Sequence, residues 1–132
     1  MKVVSTIARY LAGLTFLVMG LNGFLHFIPF PPPEGVAAQF MGALYVSHYL
    51  TIIFAVQIIG GLLLLINRFV PLALATLAPV IFNILCFHAF MAPSGFPPAL
   101  FVTVLWALIF ATVRPAFSPL FKAQTKGTSN AI

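Results

Sequence analysis

The strongest constraint on this chain is how little charge it carries. Glu34 is the only acidic residue, Lys and Arg together number six, and charged residues are 5% of 132 positions. A soluble domain carries charge on roughly a quarter of its residues. With 62% hydrophobic residues, this chain is excluded as a soluble enzyme, a nucleic-acid binder or a disordered protein. The net charge of +5 does not reopen the nucleic-acid reading, because the bases are scattered between apolar runs and form no patch.

Between the charges lie four apolar stretches bounded by charge, Pro or Gly, at about 6–28, 49–66, 70–91 and 98–113. A hydrocarbon core about 30 Å thick takes roughly 17–25 helical residues to cross. The first three stretches meet that length and the fourth is marginal. The predicted fold is therefore all-α, an integral-membrane four-helix bundle over residues 1–122, followed by a disordered polar tail over 123–132. The first stretch follows Lys2 as a signal peptide would. It is too long for one, lacks a small-residue cleavage site, and precedes no soluble domain, so it is read as a span.

Four crossings gather Lys2, Arg9, Arg68, Arg114, Lys122 and Lys126 on one side and leave Glu34 alone on the other. Three or five crossings would mix them. The positive-inside rule then predicts a multi-pass membrane protein with both termini cytoplasmic. On the outer side, Pro31-Pro32-Pro33 forces an extended path. Residues 36–47 read as an interfacial helix with Phe40, Tyr45 and Tyr49 as aromatic anchors. A second outer loop, 92–98, is short and rich in Pro and Gly. Arg9, Asn22, His26 and Pro29 are loosely echoed by Arg68, Asn83, His88 and Pro93. If that echo is a repeat, the bundle is two helical hairpins related by an axis along the membrane normal; Arg at inner ends and Pro at outer ends accounts for it equally well.

Polar side chains within a bilayer are costly, and each is a site hypothesis. They are Asn22, His26, Gln57, Asn83 and His88, with His48 at the rim. At 1.5 Å per residue, Asn22 lies roughly 9 Å from the outer end, Gln57 and Asn83 roughly 12 Å, and both histidines within about a turn of it. All fall in the outer half, where one shared pocket would solvate them. Asn22 and His26 share a helix face at i,i+4. Gly60 and Gly61 form a small-residue seam beside Gln57. Pro79, Asn83, Cys86 and Phe90 form one stripe, with a kink expected at Pro79. Trp106 stands in an aromatic stripe on the last helix. The plainer readings are interhelical hydrogen bonding for the amides, headgroup-level placement for the histidines, and packing for Trp106 and Cys86.

No nucleophile–base–acid set is visible, and no independent catalytic activity is expected. A lone cysteine excludes an intramolecular disulfide and a redox dithiol. A metal needs three or four ligands, and the histidines find no carboxylate or cysteine partner. A b-type haem would need His26 and His88 on facing helices. A proton-coupled exporter would need a membrane acid, and Glu34 is in a loop. A quinone fits better: it is apolar, lipid-borne and carries two carbonyl oxygens. Phe24, Phe27, Phe87, Phe90 and Trp106 would give the pocket walls, and Asn22, His26, Asn83 or His88 the donors.

Residues 16–27, read as Phe-Leu-Val-Met-Gly-Leu-Asn-Gly-Phe-Leu-His-Phe, resemble the first helix of the DoxX family of small bacterial membrane proteins. The run 56–65, Val-Gln-Ile-Ile-Gly-Gly-Leu-Leu-Leu-Leu, with Arg68-Phe69-Val70-Pro71 after it, is similar to the same family. So is 78–84, Ala-Pro-Val-Ile-Phe-Asn-Ile, with His88. The resemblance implies a four-helix membrane protein associated with quinone-linked redox or oxidative-stress systems. The sequence departs from the family in having Gln57 where many members carry Glu, and in lacking a Lys near Gly23. Both departures remove charge from the membrane interior and argue against coupled proton chemistry. The expected function is an accessory or quinone-contacting component of a membrane redox system. Its pocket would be formed by Asn22, His26, Gln57, Asn83, His88 and Trp106, and its partners would be the lipid bilayer and a redox subunit. A small transporter working as a homo-oligomer, or a structural membrane partner without ligand, are the alternatives.

Overall fold

The computed structural model describes residues 1–124, and the remainder of the expected tail, from 125 on, lies outside the described residues. The described chain is all-helical: α1 (Lys2–Leu25), α2 (Gly35–Val46), α3 (Tyr49–Leu65), α4 (Val70–Phe90) and α5 (Phe96–Val113), with 3-10 segments at Pro93–Gly95 and Arg114–Phe121.

Helix ends follow local chemistry. α1 stops at Leu25 rather than at residue 28, because His26 adopts the left-handed conformation (φ 53°, ψ 42°) and returns its N–H to the Asn22 carbonyl. That conformation costs a residue other than glycine roughly 1–2 kcal/mol. The Asn22 side chain holds the turn from the other side. Its Oδ1 accepts from the Ile28 N–H at 2.6 Å, and its Nδ2 donates to the Ile28 carbonyl at 3.3 Å. The prolines that follow cannot resume a helix. Pro79 does not interrupt α4, which runs unbroken from Val70 to Phe90.

Four helices pack in a ring, α1 on α3, α3 on α4, α4 on α5, and α5 back on α1, while α2 packs beside α3. Neighbours are antiparallel: Gly13 meets Leu65 where Gly20 meets Ile58. The closest approach is between α1 and α3. A Cβ added at Gly61 would lie 2.7 Å from the Gly13 carbonyl oxygen and 2.7 Å from the Leu17 nitrogen. A Cβ at the adjacent Gly60 would instead lie 2.7 Å from Leu77 of α4. The tandem glycines thus serve two neighbours, one on each side of α3.

The half of the ring near the α1 start and the α3–α4 turn is called the basic end here; it carries Lys2, Arg9, Arg68, Arg114 and Lys122. The buried core lies in this half, with Ala12, Phe16, Leu64, Leu74, Leu77 and Ile109 at its centre. Side chains stitch the helices together there. Arg9 of α1 donates to the Leu64 and Leu65 carbonyls at the end of α3, a favourable place for a cation. Ser5 and Thr112 join α1 to α5 at 3.0 Å, and the Trp106 Nε1–H of α5 donates to the Leu74 carbonyl of α4 at 3.0 Å. Past α5, the 3-10 segment buries Phe117 against Phe110, with ring centroids 5.1 Å apart.

By length and composition, α1, α4 and the helical run Pro93–Phe121 can each cross a bilayer, and α2 with α3 forms a fourth apolar unit bent by 84°. The marginal member is therefore not the last stretch, which 3-10 turns extend at both ends to 29 residues. It is α3, at 17 residues. Large apolar side chains line the outside of the ring, among them Ile7, Leu14, Ile52, Ile59, Leu72, Phe82, Phe101 and Val104, all exposed.

Candidate functional site

The opposite, proline-rich end of the ring is hollow. A half-open cavity of about 630 Å³ runs between α1, α3, α4 and α5. Thr15, Gln57, Pro79 and Val102 are its deepest positions on their respective helices, and Phe40, Met41 and Leu44 of α2 cover it. α2 is held by its packing on α3 and by the Phe40 ring, 5.9 Å from the Phe87 ring of α4.

Gln57 is the polar residue at the floor. It is 7% exposed and lines the cavity, yet no hydrogen bond from its amide is present among the described residues. Every fully occluded side-chain nitrogen or oxygen among the described residues has a partner. The Gln57 amide is therefore open to the cavity, with donor and acceptor both available. A hydrogen bond to such an amide contributes on the order of 1 kcal/mol, so a ligand that pairs with it gains by binding.

Asn83 and His88 stand higher on α4 and line the same cavity. Asn83 Nδ2 donates to the Pro79 carbonyl at 2.8 Å, leaving Oδ1 unpaired. His88 Nδ1 lies 3.0 Å from the Ala92 carbonyl. A carbonyl only accepts, so Nδ1 carries a proton, and in the ring's neutral form Nε2 is an acceptor. The imidazole is held edge-on to Phe87 at 5.1 Å, and Gly95 lies so close against it that any Cβ there would strike the ring.

The other three expected pocket residues lie outside the cavity wall. Asn22 is buried and engaged with Ile28. His26 is an exposed cap residue and does not line the cavity that holds His88. Trp106 turns towards α4 and stacks on Phe110 with centroids 5.1 Å apart. The aromatic wall also differs from expectation. Phe87 lines it, joined by Phe16, Phe30, Phe40 and Phe54. Phe24 packs edge-on behind Phe54 at 6.0 Å, and Phe27 and Phe90 are 51% and 83% exposed. Of the covering residues of α2, only Phe40 stands out in the sequence, as an interfacial anchor; the helical spacing from Phe40 to Leu44 is the signal that would mark this face. No group of three or more His, Cys, Asp or Glu that could hold a metal is found among the described residues.

Compared with protein-family models, curated proteins and solved structures, the chain matches none.

Proposed function

We propose that the chain is a DoxX-like four-helix protein of the bacterial inner membrane whose cavity takes the ring of a lipid-borne quinone, as an accessory component of a membrane redox system. In this reading the exposed apolar perimeter faces lipid, the basic end faces the cytoplasm, and the proline-rich end faces outward. Both termini then lie on the cytoplasmic side.

One observation carries the ligand reading: the amide of the largely buried Gln57, open to the cavity and without a protein partner, at the floor of an aromatic-walled cavity. The fit is chemical as well as spatial. Phe16, Phe54 and Phe87 offer apolar faces to a flat ring, and Gln57 Nε2 would donate to a ring carbonyl oxygen. His88 Nε2 and Asn83 Oδ1 add acceptors higher on the wall, suited to the ring's hydroxyls in its reduced form. When bound, the quinone itself supplies the two-electron redox chemistry. The protein's contribution is to bind and orient it out of water. Gln57, being neutral, supplies no proton in this arrangement.

The test is solvent extraction of protein purified with native lipid, followed by chromatographic quinone analysis. Wild-type protein is expected to retain near-stoichiometric quinone and Gln57→Leu to lose most of it. Quinone-free wild-type protein, together with unchanged membrane redox activity in Gln57→Leu, would overturn the reading.

A further inference from the structure

A second hollow lies at the basic end, across the packed core from the cavity. It measures about 290 Å³, and Lys2, Ser5, Arg9, Asn67 and Thr112 line it with Val70 and Ile109. We infer that this hollow binds a monoanionic phosphate group, carried by an anionic phospholipid of the same membrane face. The inference rests on the membrane placement above but not on what the cavity holds.

The donor set is the first argument. Thr112 donates to the Ile109 carbonyl, so the Ser5–Thr112 contact engages the Ser5 proton. Neither hydroxyl has a proton left for a ligand. What remains is the Lys2 ammonium, the Asn67 amide, and the part of the Arg9 guanidinium beyond Nη1. Arg9 Nη1 is held by the Leu64 and Leu65 carbonyls. The guanidinium is thus positioned by the end of α3, with Nε and Nη2 left to donate. Asn67 is presented by a left-handed turn at φ 55°. Thr6, also in the lining, spends its proton on the Lys2 carbonyl, so the free donors are two cations and one amide, with only neutral oxygens as acceptors beside them. Two cations with no carboxylate in the lining favour an oxyanion over a metal ion.

The second argument is that no acidic side chain lines the hollow. Glu34, the single acid in the sequence, caps α2 at the far end of the ring. The third is shape. Val70 and Ile109, 8% and 1% exposed, form an apolar floor, and the lining has no aromatic ring on which a nucleotide base would stack. A phosphodiester with a short aliphatic attachment matches these surfaces, and anionic lipids concentrate where juxtamembrane bases face the cytoplasm.

The experiment compares wild type, a Lys2→Gln/Asn67→Gly double variant, and Lys122→Gln, a base outside the hollow. Asn67→Gly keeps the left-handed turn, and Arg9, which also caps α3, is left intact. Each protein is placed in nanodiscs of equal phosphatidylglycerol and phosphatidylcholine, and retained lipid is read by native mass spectrometry. In parallel, its melting temperature in neutral detergent is followed with inorganic phosphate against chloride at matched ionic strength. Wild type and Lys122→Gln are expected to retain phosphatidylglycerol preferentially, and the double variant to lose roughly tenfold of that preference. A phosphate-dependent melting shift that the double variant lacks, without lipid preference, supports the site with a soluble phosphate as its source. Equal loss in Lys122→Gln would reduce the effect to diffuse charge and overturn the site. So would the absence of both lipid preference and phosphate shift. Failure to insert into the nanodiscs would instead count against the membrane reading.

Discussion

The basic half and the proline-rich half of the ring use the same four helices but are held together in different ways. In the basic half, side-chain hydrogen bonds run between helices: Arg9 to α3, Ser5 to Thr112, Trp106 to Leu74. In the other half, every polar side chain that makes a bond makes it locally. Asn22 reaches Ile28, Asn83 reaches Pro79, His88 reaches Ala92, and Thr103 reaches Ala99. The contrast continues in packing. Ala8, Ala12, Ala73, Leu74 and Leu77 fill the basic half to 2% exposure or less, whereas phenylalanines border an open volume at the other end. In lipid there is little hydrophobic drive between helices, so packing and polar contacts decide which half is rigid. One half works as a clamp, and the other is free to admit a ligand without breaking an interhelical bond.

The sharpest way to break this contrast is to remove the same bulk from each half. Leu77 is 0% exposed and packed over Gly60. Leu77→Ala is expected to destabilise by about 2–5 kcal/mol, because a new void is left in a full core. Ile84→Ala only enlarges a cavity that already exists, and is expected to cost about 1 kcal/mol. Unfolding of both in detergent measures the difference, and equal losses would mean the two halves are equally tight.

A second pair adds bulk instead. At Gly61 the new methyl meets backbone of α1, which cannot move aside. Gly61→Ala should destabilise by about 1–3 kcal/mol. Gly42, inside α2, has no heavy atom within 4 Å of its added Cβ. There the helix gains by up to about 1 kcal/mol from the better helix former. Opposite signs in thermal unfolding are the expected result.

The helix layout, though not the contrast between the halves, is legible in the sequence. Charge and proline punctuate the chain, so the helices and the covering segment could be placed within a few residues. The end of α1 was set at 28 because nothing local marks Asn22 as a clamp on Ile28, and that bond forms only when the chain turns back. Gly60 and Gly61 read as one seam, although each serves a different neighbour. The direction in which each polar residue points is not legible in the same way. α3, α4 and α5 are apolar nearly all round, so no periodicity separates a cavity-facing side from a lipid-facing one. Asn22 and Gln57 therefore read alike. One of them is engaged with the backbone and the other is left open, and only the packed structure tells them apart.

Trp106 offers a smaller test of the clamp. Trp106→Phe keeps an aromatic ring beside Phe110 but deletes the N–H that reaches Leu74. The Leu74 carbonyl lies within α4, where the helix supplies its own donor, so no orphan group is left behind. The expected loss is about 0.5–1.5 kcal/mol in thermal unfolding. A loss confined to that range would place the bond among several that hold α4 to α5, whereas a much larger one would make it the main tie.

The smallest effect on stability is expected at Gln57, and it bears most directly on the open half. An amide that no side chain or backbone group pairs ties no helices together in the apo fold. Gln57→Leu replaces it with an apolar group of similar reach, next to Phe16 and Phe54 on the cavity wall. In ligand-free protein the change should be neutral or stabilise by up to about 1 kcal/mol. With ligand present the order reverses, because only the wild type gains the linkage stabilisation that a bound molecule confers. Melting curves before and after lipid extraction give both readings from one pair of proteins. A Gln57→Leu variant that is markedly less stable in the ligand-free state would show that the amide is a structural tie after all, and the two halves would then differ in volume but not in kind.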